Sequence, residues 1–237
     1  MGCKNNWCDD EAKSYITKYG EIGVSEDLAL RTFSARLLGS DPELVLHGGG
    51  NTSVKSTSKD ILGNEISVLH VKGSGWDLAT IEPAGHPAVQ LNPLIKLREL
   101  AELSDEDMVA AQRQNLLNPN SPNPSVETLL HAFFPHKYID HTHSLAVLAI
   151  ANQPNAFELC KEIFGEKIAI VPYVMPGFEL AQEAYNAFEQ ANKNFETEIC
   201  MSQEVHTALT KDLIESSRFA GEITLKGRDT SSKVFTI

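Results

Sequence analysis

No stretch of this sequence approaches the roughly 20 consecutive apolar residues that a membrane-spanning helix needs. The segment MGCKNNWCDDEAKSY lacks the apolar core of a secretory signal peptide. An N-myristoylation signal is also incomplete, because Asn6 stands where that signal requires Ser or Thr. These absences argue against a membrane partner, and we expect a soluble, cytoplasmic protein.

Cysteine and basic residues are both scarce. The four cysteines form no CxxC pair and are too sparse for a disulfide scaffold, which favours reduced thiols. Lysine and arginine together number 20, against 32 aspartates and glutamates, and the net charge is -12. This charge opposes sequence-independent binding to nucleic acid, which depends on neutralising phosphates. A small anionic ligand needs only a local site and is compatible with the composition.

The amino-acid composition is that of a globular domain. With 42% hydrophobic and 22% charged residues, the 237-residue chain can form one substantial core. Helical periodicity begins after Ser25 and ends at Gly39, and GFELAQEAYNAFEQANKNF predicts a further amphipathic helix. Strands are predicted at Leu44–Leu46, Ile66–Val71, KYIDHTHS, EKIAIVPYV, FAGEITLK and KVFTI. This alternation predicts an α/β layered fold, with one domain over residues 1–237.

Two predicted strands run into loops rich in glycine and hydroxyl residues. The first loop is Gly48-Gly49-Gly50-Asn51-Thr52-Ser53 followed by Lys55, and the second is Lys72-Gly73-Ser74-Gly75. Backbone N–H groups, hydroxyls, an amide and lysine charge are the donors of a phosphate cradle. Neither loop has a P-loop or GxGxxG pattern. Tight turns without a ligand are the alternative interpretation of either loop taken alone.

A second candidate site centres on the sequence DHTHS. In a strand, His141 and His143 project from the same face, where two imidazoles can share a zinc-like ion. Ordinary hydrogen-bonded histidines are an equally good interpretation of this spacing. Glu127 precedes the pair on a predicted helix, and it can serve as a general base beside a bound substrate or simply as a solvated helix-start residue.

The motifs GGGNTSVK, KGSGWDL, PSVE and HTH, in that order, resemble the class II aldolase and adducin head family. Within that family they are most similar to the aldolase part of bifunctional rhamnulose-1-phosphate aldolase/alcohol dehydrogenases. The resemblance covers residues 27–195. It implies a three-layer α/β/α sandwich around a mixed, largely antiparallel sheet, usually assembled as a homotetramer.

The resemblance also implies roles for individual residues. Glu127 is the expected catalytic acid/base, and His141 and His143 are the expected zinc ligands. The phosphate of a ketose 1-phosphate is expected to bind at Gly50, Asn51, Ser74, Gly75 and Ser125. The implied reaction is cleavage of a deoxyketose 1-phosphate into dihydroxyacetone phosphate and an aldehyde such as lactaldehyde. A sugar-phosphate epimerase of the same family and a noncatalytic, adducin-like assembly module are the alternatives.

The sequence departs from the family near its end. Family members have a third metal histidine in an Asn-His-Gly or Lys-His-Gly pattern, but no His-Gly follows the HTH motif here. His206 is the only later histidine and therefore the candidate third metal ligand, although its context favours a surface position. We therefore expect residues 196–237 to be a divergent or truncated tail without the relatives' dehydrogenase domain. A site of two histidines predicts low metal occupancy and little aldolase activity.

Overall fold

A computed structural model describes residues 5–165, 168–194, 200–202, 218–224 and 231–236, with side chains described up to residue 190. The described helices are α1 Asp9–Gly20, α2 Glu26–Gly39, α3 Leu91–Lys96, α4 Asp105–Gln114, α5 Thr128–Phe133, α6 Leu145–Ala151, α7 Ala156–Phe164 and α8 Phe178–Asn194. The described strands are β1 Asn51–Lys59, β2 Glu65–Val71, β3 Ala88–Gln90, β4 Tyr138–His141, β5 Cys200–Ser202, β6 Arg218–Thr224 and β7 Ser231–Thr236. No described helix is long and apolar enough to cross a membrane.

The contacts divide the chain into two compact units. One comprises Met1–Leu148 with Val174–Gln182, and the other comprises Ala149–Tyr173 with Glu183–Ile237. In the second unit, α7 buries Cys160, and the described strands form an antiparallel sheet in the order β5-β7-β6. The strands predicted at FAGEITLK and KVFTI are confirmed as β6 and β7. The assignment of residues 1–237 to one domain stays a prediction.

A four-stranded sheet is the centre of the first unit. Its order is β3-β2-β1-β4, and each of these pairs is antiparallel. The register places Val54 of β1 opposite His70 of β2, and Asn51 of β1 opposite His141 of β4. Helix α2 packs against β1. The predicted α/β fold with a largely antiparallel sheet is confirmed.

Helix α2 begins and packs as its sequence predicts. The Ser25 side chain accepts a hydrogen bond from the N–H of Leu28, and this N-cap satisfies one of the free donors of the first turn. The helix also buries Arg31, whose Nη2 lies 2.7 Å from Oδ1 of Asp140 in β4. Ala35 of this helix belongs to an apolar cluster with Val45, Leu78 and Ile81, against which Leu44 and Trp76 pack. Trp76 therefore has a core role.

Strand β1 differs from the sequence-based expectation. Asn51, Thr52 and Ser53 were expected to lie in a loop rich in glycine and hydroxyl residues, yet they begin the central strand NTSVKSTSK, whose first four residues are buried. The buried hydroxyls have partners: Thr52 Oγ1 lies 3.0 Å from His86 Nε2, and Ser53 Oγ lies 2.8 Å from His131 Nδ1. Hydrogen bonding of this kind removes most of the cost of burying a polar group.

Two predicted strands do not form. Residues 44–46 lie in a turn segment before β1, and the carbonyl of Leu44 accepts the N–H of His143 at 2.8 Å. Residues 168–175 of the EKIAIVPYV region form neither helix nor strand, and residues 166–167 lie outside the described part of the chain. A short apolar run becomes a strand only where a sheet edge is available to pair with it.

The fold holds two histidines in their neutral form. His86 is 2% exposed and His131 is 0% exposed. Burial lowers the pKa of each imidazole to about 3, whereas an unfolded histidine titrates near pH 6.5. Between these values the unfolded chain binds more protons than the folded chain, so stability must fall as the pH falls below about 6.5.

We predict that lowering the pH from 7.0 to 5.5 decreases the free energy of unfolding by roughly 1 kcal/mol for each of these two histidines. Urea unfolding of the wild type and of His86→Gln at both pH values tests this expectation. The variant should lose the contribution of one histidine, about 1 kcal/mol, from this decrease. An equal decrease in wild type and His86→Gln would contradict the account.

Candidate active site

Candidate residues from three sequence motifs meet at one end of the sheet in the first unit. Asn51 is the first residue of β1, and its register partner His141 is the last residue of β4. Glu127 immediately precedes α5, and its carboxylate lies between these two side chains. The fold therefore brings together residues from three separate sequence motifs.

The two histidines meet, although they do not share a strand as the sequence predicted. β4 ends at His141 because β1, its ladder partner, begins at Asn51. His143 instead donates its backbone N–H to the carbonyl of Leu44. Even so, the Nε2 atoms of His141 and His143 lie 3.1 Å apart.

The separation of these nitrogens fits two ligands of one ion. Zinc binds imidazole nitrogen at 2.0–2.1 Å, so two ligands at a tetrahedral angle lie roughly 3.3 Å apart. Burial and the nearby His141 lower the pKa of His143, which favours the neutral, ligating form. Within the described residues, no group of three His, Cys, Asp or Glu side chains is arranged to hold a metal. His206 lies outside the described residues.

Glu127 connects the amide of Asn51 to the imidazole of His141. Its Oε2 accepts a hydrogen bond from Asn51 Nδ2 at 2.9 Å, and its Oε1 lies 3.3 Å from His141 Nδ1. Burial acts to raise the pKa of Glu127, but His141 and Asn51 outweigh it and lower the pKa to about 2. The carboxylate is therefore ionised, and it orients His141 with Nε2 directed toward His143, as carboxylates do for metal-binding histidines.

The predicted phosphate-binding residues fall into two groups. Asn51 and Ser125 are buried, and the Asn51 amide donates to the Ser125 hydroxyl as well as to Glu127. Ser125 Oγ also accepts the backbone N–H of Glu127 at 3.2 Å. In this arrangement Asn51 and Ser125 position Glu127. Ser74 and Gly75, in contrast, are exposed residues that a ligand can reach.

The glycines before β1 support the histidines. A Cβ atom on Gly49 would lie 3.1 Å from Nδ1 of His143 and 3.0 Å from the carbonyl oxygen of Leu46. Gly50 has φ of +69°, and a Cβ there would lie 2.9 Å from the carbonyl oxygen of His141. Only glycine allows both this backbone conformation and these close approaches. Gly50 therefore packs directly against the backbone carbonyl of His141.

The two lysines of the Gly-rich motifs have different environments. Lys55 was expected to add charge to the first loop, but that expectation is wrong. Its Nζ donates to the carbonyls of His131, Phe134 and His136 at 2.7–2.9 Å, at the end of α5. Lys72 instead donates to the carbonyl of Gly48 at 2.8 Å, beside the candidate site. The sequence pattern alone did not show which of the two lysines lies beside the candidate site.

This fold and site define a class of protein. The chain belongs to the class II aldolase and adducin N-terminal domain family, whose model matches residues 34–203. The resemblance seen in the four ordered motifs is thereby confirmed at the level of the family.

Two individual proteins are similar to this chain. It is 41% identical over 179 residues to the uncharacterized oxidoreductase YuxG of Bacillus subtilis (strain 168), an alignment that covers 76% of this chain and 25% of YuxG. The chain thus spans about a quarter of that relative. The N-terminal class II aldolase domain of a conserved protein from Thermoplasma acidophilum superimposes with a TM-score of 0.67 at 38% identity, covering 78% of this chain and 80% of that one.

We predict that Gly49→Ala weakens zinc binding about 10-fold, the lower end of the effect expected when the support of a metal-binding histidine is disturbed. The added methyl group must displace the His143 ring or the Leu46 carbonyl. Gly48→Ala is the matched control, because a Cβ there meets nothing closer than the Trp76 carbonyl oxygen at 4.0 Å. Calorimetric zinc titration of both variants is the measurement, and equal affinities would refute the packing argument.

Proposed function

We propose that this chain is a zinc-dependent aldolase. It cleaves a deoxyketose 1-phosphate, similar to rhamnulose 1-phosphate, into dihydroxyacetone phosphate and an aldehyde such as lactaldehyde. The observation that supports this most strongly is the pair of Nε2 atoms 3.1 Å apart, with the ionised Glu127 carboxylate beside them. When bound, zinc supplies Lewis-acid polarisation of the substrate ketone.

In this proposal His141 and His143 hold the ion, and Glu127 moves the protons. Cleavage requires removal of the proton from the hydroxyl on the carbon that becomes the aldehyde. The Glu127 carboxylate accepts that proton as the carbon–carbon bond breaks, and it returns a proton to the carbon of the departing ketone phosphate. Asn51 keeps the carboxylate in place through the 2.9 Å hydrogen bond to Oε2.

The substrate phosphate is proposed to bind at the second Gly-rich loop. Ser74 offers a hydroxyl and Gly75 a backbone N–H at exposed positions, and the proposal adds the buried Gly50, Asn51 and Ser125 to this site. Gly75 has φ of +84°, a conformation in which a glycine backbone can approach an anion closely. The proposal also includes a cytoplasmic location and assembly into a homotetramer.

A noncatalytic, adducin-like assembly module is the second candidate. It is favoured by the ligand count, because the described residues provide two imidazoles where a catalytic zinc site ordinarily uses three protein ligands. The ionised, half-buried Glu127 favours the enzyme, since an assembly module has no use for a positioned acid/base. A sugar-phosphate epimerase has the same requirements as the aldolase and differs from it in the products released.

We predict that Glu127→Gln lowers the rate of dihydroxyacetone phosphate release by about 100-fold, the usual scale for losing a positioned acid/base. The substitution keeps the shape of the side chain, so the fold and the two imidazole ligands should persist. A coupled assay with rhamnulose 1-phosphate in the presence of zinc measures the rate. Glu65→Gln, at an exposed position on β2, is the control. Unchanged turnover in Glu127→Gln would exclude this residue from the mechanism.

A further inference from the structure

The side chain of Lys72 links the two Gly-rich loops. Lys72 is the first residue of the KGSG loop, and its Nζ donates to the carbonyl of Gly48 in the loop before β1 at 2.8 Å. The residue is 5% exposed. Its ammonium group is therefore held between the loops rather than extended into solvent.

The backbone of Lys72 is fixed between β1 and the segment that precedes α5, which carry candidate residues. Its N–H donates to the carbonyl of Thr52 at 3.0 Å, and its carbonyl accepts the N–H of Ser125 at 3.3 Å. Thr52 follows Asn51 in β1, and Ser125 precedes Glu127 by two residues. The position of the ammonium group is thus determined by the same elements that position Glu127.

The charge of Lys72 is felt by two site residues. Burial lowers the pKa of Lys72, while the carboxylates of Glu127 and Asp77 act to raise it. The Lys72 charge in turn contributes to the lowered pKa of His143. A buried ammonium group has three donors and attracts anions, and a carbonyl partner does not neutralise its charge. Lys55 differs, because its three donors are directed at three carbonyls at the end of α5.

We propose that Lys72 is a substrate-binding residue whose ammonium group provides the fixed positive charge for the phosphate of the substrate. This inference rests on the proposed function, because it assigns a further residue to the same site. The phosphate would lie between the GGGNTS and KGSG loops, where the ammonium group already joins them. Lys72 then compensates locally for a protein whose net charge is -12.

The charge of Lys72 should affect phosphate binding and zinc binding in opposite directions, because a fixed positive charge attracts phosphate but repels zinc from the neighbouring His143. Removing the charge should therefore weaken phosphate binding and leave zinc binding equal or stronger. A residue that only maintains the fold would weaken both when it is replaced.

Calorimetric titrations of the full chain with inorganic phosphate alone, and separately with zinc alone, test this inference. In Lys72→Met we expect phosphate affinity to fall about 10-fold or more, on the scale of a lost hydrogen bond to a charged group, with zinc affinity equal or up to a few-fold higher. Lys55→Met controls for the loss of a half-buried, hydrogen-bonded lysine, and Lys59→Met for the loss of an exposed one. Both controls should bind phosphate as the wild type does.

Two results would overturn the inference: unchanged phosphate affinity in Lys72→Met, or parallel loss of phosphate and zinc binding. If Lys72→Met does not fold, Lys72→Gln and Lys72→Arg replace it, and only the arginine variant should bind phosphate within a few-fold of the wild type. Equal phosphate affinities in those two variants would also refute it. Normal phosphate results with no cleavage of rhamnulose 1-phosphate by the wild type would refute the aldolase proposal alone.

Discussion

The pairing of strands β1 and β4 places Asn51 opposite His141, and the positions of the other candidate groups follow from it. Because the ladder stops at this pair, the chain leaves the sheet after His141. The backbone N–H of His143 then donates to the carbonyl of Leu44, and this hydrogen bond turns the imidazole of His143 back toward that of His141. Glu127 then contacts both members of the pair, accepting from the Asn51 amide and lying beside His141 Nδ1. A different register of β4 would separate the carboxylate from the imidazole, since one residue of slip reverses the face of every side chain.

This pairing requires a polar strand at the centre of the sheet. β1 contributes buried hydroxyls, and the fold provides a histidine for each of Thr52 and Ser53. The same end of the sheet buries Arg31 against Asp140 in β4. Buried polar pairs contribute little net stability, but each is costly if one partner is removed, so they select a single register. Because His86 and His131 are buried in their neutral form, the stability of this arrangement depends on pH.

The sequence predicted the elements whose signals are local. The Ser25 cap and helical period identified α2, the apolar run identified β2, and the amphipathic pattern identified α8. The four ordered motifs identified the family, and the spacing of His141 and His143 indicated that their rings would meet. These features depend on residues close together in the chain.

The features that the sequence did not predict depend on distant partners. NTSVKSTSK has the composition of a loop, and it is a strand only because His86 and His131 supply partners from elsewhere in the chain. The different environments of Lys55 and Lys72 follow from which carbonyls the fold brings to each ammonium group. Likewise, nothing in DHTHS shows that the strand ends at His141, because that limit is set by the start of β1 at Asn51.

The central claim is that His141 and His143 bind one metal ion together through their Nε2 atoms while Glu127 holds Nδ1 of His141. Nitrogen NMR of the imidazole rings, recorded with and without zinc, tests this claim most directly. The account predicts that zinc shifts the Nε2 resonances of these two histidines and leaves the proton on Nδ1 in both. A shift at Nδ1 of His141, or zinc-dependent shifts confined to other histidines, would contradict it.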